Sequence, residues 1–440
     1  MNKTPSLDHF WLPFTPNRAF KREPRLFARA EGVHYFTPEG RRILDGCSGL
    51  FCTPLGHGRR EIADAVHEQL LTLDYTPTFT RAHPKAFELA TRIAQFTPAG
   101  LDRVFFANSG SEAVDSAMKI ALAYHRARGE GQRTMFVSRE RAYHGVNMGG
   151  VALSGLVRNR ESFGSGVPGV VHMRHTHVPE NRFARGLPEK GGELADDLAR
   201  LGQLHSFANI AAVFIEPIAG STGCLPAPRG YLERVRELCD QHGILLVFDE
   251  VITGWGRTGQ AFAAQELGVT PDLITMAKAL TNGAQPMGAV AVKRAVHDAI
   301  VERGPLHAPE LFHGYTYSAH PAACAAALAT LALYDAERSF EQARALAPYF
   351  QERVFSLCEL PMVADVRGYG LLAGIDLRAR DGAPGLAGDE AQKRLFDAGL
   401  HLKATGDALL IAPAFVFTRG QVDELVGVLR DVLSNSPPSR

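Results

Sequence analysis

Short apolar runs alternate with helical patterns along this chain, from about residue 60 to residue 320. The runs lack a polar face, so they are typical of strands that are buried on both sides. Windows at 61–71, 230–242 and 322–334 carry the apolar spacing of helices. Together with strand-like runs at 134–137, 211–215, 244–248 and 288–292, they predict an α/β domain with a mostly parallel sheet.

The pattern changes after residue 335. Runs at 370–376 and 408–412 are typical of strands, and Thr418 is placed to cap a final amphipathic helix. That helix should bury one apolar face, made of Val422, Leu425, Val426, Leu429 and Val432. We therefore expect a second, smaller α+β domain near the C-terminus.

The charge balance excludes several classes of partner. Lys+Arg and Asp+Glu are both 47, so no net field favours nucleic acid or an anionic membrane. The first ten residues contain no apolar signal core, and the longest nonpolar stretch, 321–333, is shorter than the ~20 residues that span a bilayer. The six cysteines show no metal spacing, so a cytoplasmic protein without disulfides is expected.

Polar residues follow several of the predicted strands. Ser109, Glu216, Asp249 and Lys278 each come after a strand-like run. Ligands of parallel sheets bind beyond the carboxyl ends of the strands. These side chains can therefore converge on one site.

Asp249 and Lys278 form the most informative pair. Burial lowers the pKa of a lysine and makes its amine a nucleophile, and a carboxylate can keep a pyridine nitrogen protonated. Pyridoxal phosphate needs both groups. A structural ion pair is the alternative for either residue alone, and Lys119 has apolar neighbours similar to those of Lys278.

A third element follows the strand-like run 103–107. Ser109, Gly110 and Ser111 lie where a helix is predicted to begin, and free N–H groups at a helix N-terminus bind phosphate. An ordinary serine cap is the alternative. On the phosphate interpretation Lys119 falls inside this helix, which leaves Lys278 as the lysine that bonds to the cofactor aldehyde.

Two further motifs predict no ligand. His172, His175 and His177 lack the acid or cysteine ligands of a complete metal site, so we expect a solvated loop and no metal. The glycines at 254, 256 and 259 lack the strand–turn–helix context of a dinucleotide loop.

The order of these motifs resembles that of the class III pyridoxal-phosphate aminotransferases. The resemblance extends from about His9 to Leu433 and is strongest to the omega-amino acid:pyruvate (beta-alanine:pyruvate) subgroup. Its motifs are Asn108–Ala113, Tyr143-His144-Gly145, Glu216-Pro217, Phe248–Ile252 with Gly256–Gly259, Ala277-Lys278 and His313–Ala319. The stretches Phe10–Arg18, Thr281–Ala284 and Tyr315–Pro321 point to the subgroup.

The resemblance implies the fold type I of pyridoxal-phosphate enzymes and a division into three parts. These are an N-terminal segment of the small domain (1–58), a large cofactor-binding domain (59–325) and a C-terminal small domain (326–440). It also implies that His144 and Glu216 bind the cofactor. Tyr143 and Val251 would pack on opposite faces of its ring, although a loop aromatic and a core valine are the plain alternatives.

Four residues would form the substrate pocket. Phe14, Leu50 and Phe51 match the subgroup's apolar wall, and Lys403 stands where the subgroup usually has a carboxylate-binding arginine. A solvated surface lysine is the alternative for Lys403. The family also implies that Thr316 reaches the phosphate of a second subunit, hence a homodimer or a dimer of such dimers.

The expected activity is transfer of an amino group from an omega-amino acid or amine of the beta-alanine type to pyruvate, giving alanine. Other donors of the same class (taurine, diamines, 4-aminobutyrate) are alternatives, as is a pyridoxal-phosphate aminomutase or racemase. A cofactor-binding protein without activity is disfavoured, because Lys278 and Asp249 are both present.

Overall fold

A seven-stranded sheet forms the centre of the computed structural model, which describes residues 6–380 and 382–435. In spatial order its strands are Arg103–Ala107, Gly288–Val292, Leu273–Met276, Leu245–Asp249, Ile210–Ile215, Met135–Arg139 and Val170–Met173. Only Gly288–Val292 runs against its neighbours, so the predicted mostly parallel sheet is confirmed. Four of these strands are buried at every position, in keeping with sequences that are apolar except at Asp249 and Thr275.

Helices pack against both faces of this sheet, and all but two of the chain's α-helices within the described residues lie before residue 356. They span Asn17–Arg22, Ser48–Phe51, Arg60–Thr72, Pro84–Phe96, Gly110–Ala127, Met148–Leu153, Val157–Phe163, Asp197–His205, Tyr231–His242, Ala263–Glu266, Arg294–Arg303, Pro321–Ala336 and Ser339–Phe355. Helix Gly110–Ala127 buries one face that includes Ala113, Ala117, Ile120 and Ala121.

A second sheet, fully antiparallel, is built from the C-terminal part. Its strands are Val363–Tyr369, Leu372–Leu377, Ala408–Ile411 and Lys403–Thr405. Helices Leu386–Asp397 and Arg419–Ser434 accompany it. Thr418 caps the last helix by accepting a hydrogen bond from Gln421 N, and the five predicted apolar residues are buried.

The N-terminal chain joins this C-terminal part. Strands Arg29–Glu31, His34–Phe36 and Arg42–Asp45 form a sheet whose fourth strand is Leu400–His401. The three-part domain division remains a proposal, and its boundary at 325/326 would fall inside the continuous helix Pro321–Ala336. A two-stranded antiparallel ribbon, Ile218–Ala219 with Leu225–Pro226, follows the central strand Ile210–Ile215 along the chain.

Within residues 6–380 and 382–435, none of the helices combines the length and apolar content that crossing a membrane requires.

Candidate active site

A cavity of about 330 Å³ opens at the carboxyl edge of the central sheet. Its walls come from the turns that follow five different strands of that sheet. Nine predicted site residues line it: Ser109, Gly110, Ser111, Tyr143, His144, Glu216, Asp249, Val251 and Lys278. The strand ends thus bring together side chains that lie far apart in the sequence, as parallel-sheet geometry predicts.

Lys278 enters this cavity from a strained turn. It begins the short 3₁₀ helix Lys278–Thr281 with a φ of 48°, which is a left-handed conformation that costs energy for any residue with a Cβ. Burial lowers the pKa of its ammonium, while the nearby carboxylates of Asp249 and Glu216 oppose the shift. The amine is therefore easier to deprotonate than that of an exposed lysine.

Asp249 is held by three donors at the end of strand Leu245–Asp249. Its Oδ1 accepts hydrogen bonds from Thr275 Oγ1 and Val251 N, both at 3.1 Å. Its Oδ2 lies 2.8 Å from Nδ1 of the buried His144. An ionised carboxylate only accepts hydrogen bonds, so Nδ1 carries the proton. Asp249 is thus fixed in orientation.

Helix Gly110–Ala127 begins at the cavity. Ser109 is its N-cap and accepts a hydrogen bond from Glu112 N at 3.1 Å, so the capping alternative holds for this hydroxyl. Ala113 N donates to Ser109 O. Among the described residues no acceptor is found for the N–H groups of Gly110 and Ser111, which are therefore left for an anion.

Two glycines allow neighbouring loops to pack closely against the start of this helix. A Cβ on Gly110 would lie 3.0 Å from the side chain of Val251, and a Cβ on Gly145 would lie 2.5 Å from Ser111 Oγ. Gly145 also has a φ of 96°, which glycine adopts without strain. The 143–146 loop can therefore lie directly on the helix, where Val146 N donates to Ser111 Oγ at 3.1 Å.

Glu216 joins two neighbouring loops. Its Oε1 accepts from Tyr143 N at 2.9 Å, and its Oε2 accepts from Gly220 N at 3.2 Å. Burial raises the pKa of this carboxyl to about 7. Since Tyr143 lines the cavity, Glu216 positions the backbone that carries the aromatic ring.

Five predicted residues do not line the cavity of the single chain: Thr316, Phe14, Leu50, Phe51 and Lys403. Phe14 is 81% exposed and Leu50 is 49% exposed. Phe51 is only 3% exposed, because its ring packs in an apolar cluster with Cys47 and Ile252. Burying such a ring contributes roughly 1.5–3 kcal/mol, so Phe51 belongs to the core here.

Lys403 lies on strand Lys403–Thr405 and is half-buried. Burial lowers the pKa of its ammonium, and the charge of Lys278 lowers it further. The oxygens of Glu216 accept from backbone N–H groups of Tyr143 and Gly220 and not from Lys403. No carboxylate of the described residues lies within 4 Å of the Lys403 ammonium.

The sequence pattern missed part of the cavity wall. Cys52, Asn108, Ile252, Thr281, Gly283, Gln285 and Met287 also line it. Thr275 lies beneath the wall and donates to Asp249. This contact could have been predicted from the sequence, because residues at matching positions of adjacent parallel strands are neighbours. Thr275 pairs in register with Asp249.

The histidines at 172, 175 and 177 lie outside this cavity. Nε2 of His177 is 3.9 Å from carboxylate oxygens of Asp365 and Asp376. Both carboxylates already bind the buried guanidinium of Arg367, at 2.5 Å and 2.7 Å. A second cation there would be repelled by Arg367, and the absence of a resident metal remains a prediction.

The cavity residues fit pyridoxal phosphate. The free N–H groups of Gly110 and Ser111 suit its phosphate, and the fixed carboxylate of Asp249 suits its ring nitrogen. Lys278 lines the same cavity and carries an amine of lowered pKa for its aldehyde.

Comparisons with known proteins agree with this geometry. The family Aminotransferase class-III matches residues 17–433. An omega-aminotransferase of Caulobacter vibrioides is 53% identical over 429 residues, which cover 97% of each chain. An omega-amino acid–pyruvate aminotransferase of Pseudomonas putida is 45% identical over 97% of this chain and 96% of its own.

The fold is shared with solved structures as well. The crystal structure of an (S)-enantioselective omega-transaminase from Thermomicrobium roseum superposes with a TM-score of 0.90. The two sequences are 34% identical, and the superposition covers 97% of this chain and 96% of that chain. The cavity fits pyridoxal phosphate, and the family match and the relatives extend over nearly the whole chain. The protein therefore belongs to the class III aminotransferases, which are pyridoxal-phosphate-dependent transaminases.

Proposed function

We propose that this enzyme transfers an amino group from an omega-amino acid or amine of the beta-alanine type to pyruvate, giving alanine. The observation that carries the proposal is the placement of Lys278, Asp249 and two free helix N–H groups around one cavity. Pyruvate as acceptor is supported by the Pseudomonas putida relative, whose name states that substrate.

Lys278 and Asp249 have the catalytic roles. When bound, pyridoxal phosphate supplies an aldehyde that takes up amino groups and a ring that withdraws electrons from the reacting carbon. Lys278 would hold the aldehyde, and its amine would also serve to move a proton to and from the donor's carbon. Asp249, oriented by His144, would keep the ring nitrogen protonated.

The other cavity residues bind and orient. Gly110 and Ser111 hold the phosphate through their backbone N–H groups, and Ser109 fixes the helix that presents them. Tyr143 and Val251 line the cavity and would pack against the ring. Glu216 secures Tyr143 through its backbone N–H.

The proposal is tested by half-reactions. Holoenzyme is mixed with single donors (beta-alanine, 4-aminobutyrate, taurine, a diamine and a neutral amine), and loss of the cofactor's absorbance is followed. The aminated enzyme is then mixed with pyruvate or another oxo acid, and alanine or its analogue is measured. Transfer of ¹⁵N from beta-alanine to alanine is expected, and its absence with every omega-amine would overturn the proposal.

The same assay separates the alternative chemistries. An aminomutase or racemase would rearrange or invert one amino acid without moving ¹⁵N to a second molecule. A cofactor-binding protein without activity would show no absorbance change with any amine.

Lys403 is proposed to bind the carboxylate of pyruvate and alanine. Its ammonium is half-buried next to the site and lacks a carboxylate partner among the described residues, so it can accept an anion. We also propose that Lys403 pairs with Glu216 when an uncharged end of the donor occupies the pocket, which would require Glu216 to leave its hydrogen bonds with Tyr143 N and Gly220 N.

Lys403→Ala is expected to raise the KM for pyruvate roughly tenfold, because a charge-assisted hydrogen bond is lost. Lys403→Arg should lower it, since a guanidinium binds a carboxylate with two parallel hydrogen bonds. Steady-state kinetics with one neutral amine provide the measurement, and Lys190→Ala, at an exposed lysine, is the control. An unchanged KM in Lys403→Ala would show that another basic residue binds the anion.

We also propose a homodimer, or a dimer of dimers, as the active unit. Thr316 is exposed and lies among exposed aromatic side chains, with Tyr317 58% and Phe79 53% exposed. Tyr75 contacts both Thr316 O and the Tyr317 ring, and the Phe79 ring lies against Gly314 of the same loop. An exposed apolar patch of this kind is typical of a protein interface.

Thr316→Ala should weaken the retention of pyridoxal phosphate by roughly tenfold and leave the chemistry of Lys278 intact, since one phosphate contact from the partner is lost. Dissociation is measured by dialysis and absorbance, with Thr270→Ala, an exposed threonine elsewhere, as the control. Sedimentation of fully active enzyme as a monomer would disprove the dimer.

A cytoplasmic location is proposed as well. All six cysteines are free thiols, two of them partly exposed, and a reducing compartment preserves that state. Fractionation of cells of the source organism would test the location.

A further inference from the structure

Asn282 connects the turn of the catalytic lysine to a distant part of the chain. It follows the 3₁₀ helix Lys278–Thr281 and is itself left-handed, with a φ of 49°. Its side chain is 6% exposed. The Oδ1 atom accepts from Leu55 N at 3.0 Å, and Nδ2 donates to Gly56 O at 2.9 Å. The Asn282 amide thus both accepts from and donates to the backbone of residues 55 and 56.

Gly283 packs against the same distant segment. Its φ is 71°, and a Cβ at this position would lie 3.2 Å from both Cys52 Cβ and Thr53 Cγ2. A larger residue would have to push the segment away. The Asn-Gly pair therefore combines a hydrogen-bonded clasp with a close approach that only glycine allows.

The segment held in this way, residues 47–57, is called the wall segment here. Its backbone is strained, with positive φ values at Ser48 (46°) and Phe51 (65°). Asp45 accepts from Cys47 N and Gly49 N at one end, and Arg257 donates to Ser48 Oγ. Strained backbone persists only where surrounding contacts hold it, so these contacts decide where the segment lies.

The wall segment also borders the active site. Cys52 lines the cavity together with Lys278, and so do Thr281 and Gly283 on either side of Asn282. The distance between the lysine turn and the wall segment is therefore one dimension of the space that receives the donor amine. Neither Asn282 nor the wall segment's backbone takes part in the proton transfer itself.

We infer that Asn282 and Gly283 are positioning residues that set the width of the donor pocket and so select among amines by size. The inference rests on the proposed function. When the clasp is removed, the strained wall segment relaxes outward and the pocket widens. The kcat/KM for bulky amines then rises relative to that for small amines, while Lys278 keeps its chemistry.

Asn282→Gly isolates the clasp, because glycine adopts the same φ without a side chain. The ratio of kcat/KM for 1-phenylethylamine to that for a small unbranched amine should rise roughly tenfold, since two hydrogen bonds are lost. Asn282→Asp should shift the ratio in the same direction, because a carboxylate cannot donate to Gly56 O. Arg338→Gly is the matched control, since Arg338 is an exposed left-handed residue with a φ of 50°.

A second measurement does not depend on turnover. In Asn282→Gly the amide of Leu55 loses its acceptor, so its hydrogen exchange should quicken at least tenfold in holoenzyme, while that of Leu246 in the central sheet is unchanged. The cofactor's absorbance should stay that of the wild type. An unchanged substrate ratio together with faster Leu55 exchange would overturn the inference, and so would an equal loss of kcat with every donor. A wild-type enzyme without transaminase activity would instead overturn the proposed function.

Discussion

Lys278→Ala is expected to bind pyridoxal phosphate but to lose transamination by roughly 10⁴-fold or more, because both the amine that bonds to the aldehyde and the base that moves the proton are removed. Lys278 is the only lysine that lines the cavity of the described chain. The measurement is the rate of each half-reaction in stopped flow, with the thermal midpoint checking that the fold is retained.

Lys119→Ala is the control for this variant. Lys119 has apolar neighbours in the sequence, but its side chain is exposed and its Nζ lies 3.3 Å from Nδ1 of His313. Borohydride reduction of holoenzyme, followed by peptide mapping, should place the pyridoxyl group on Lys278. A label on Lys119 would contradict the assignment, as would near-normal turnover of Lys278→Ala.

Asp249→Asn is expected to retain the cofactor yet to transaminate at least 10²-fold more slowly. An amide cannot keep the ring nitrogen protonated, so the ring withdraws electrons less strongly from the reacting carbon. The change is nearly isosteric, and Thr275 Oγ1 can still donate to the side-chain oxygen at position 249. The bond with His144 Nδ1 loses its charge, and the two side chains must then reorient.

Single-turnover rates with one amine measure this effect, and Asp240→Asn, at an exposed carboxylate of helix Tyr231–His242, is the control. Half-reaction rates of Asp249→Asn that stay near those of the wild type would remove Asp249 from the mechanism. If Asp249→Asn bound less cofactor but its cofactor-loaded fraction reacted at the wild-type rate, Asp249 would have only a structural role.

The central sheet was predictable because its strands are buried on both faces. Such strands are largely apolar, so the predicted runs 211–215, 244–248 and 288–292 differ from the observed strands by at most one residue at either end. The last helix was equally clear, since Thr418 and a regular apolar face mark its start and its buried side.

Other elements gave misleading local signals. The glycines and proline of 380–388 are typical of a loop, yet a helix begins at Leu386. Gly388 serves packing there, because a Cβ would collide with Gly406 O. Pro348 likewise argues against a helix, but Ser339–Phe355 continues through it and buries Phe350 and Val354 against the core. Tertiary packing outweighed local propensity in both places.

The sequence by itself determined the class of the fold and the cofactor, and it predicted roles for Lys278 and Asp249, because each depends on residue types that follow recognisable strands. The tertiary structure alone decided how those residues are held. The contact of His144 with Asp249, the burial of Phe51 and the clasp of Asn282 on Leu55 and Gly56 all join segments that are distant in the chain. Such contacts leave no local period or spacing in the sequence, since they arise only when the packed elements bring their loops together.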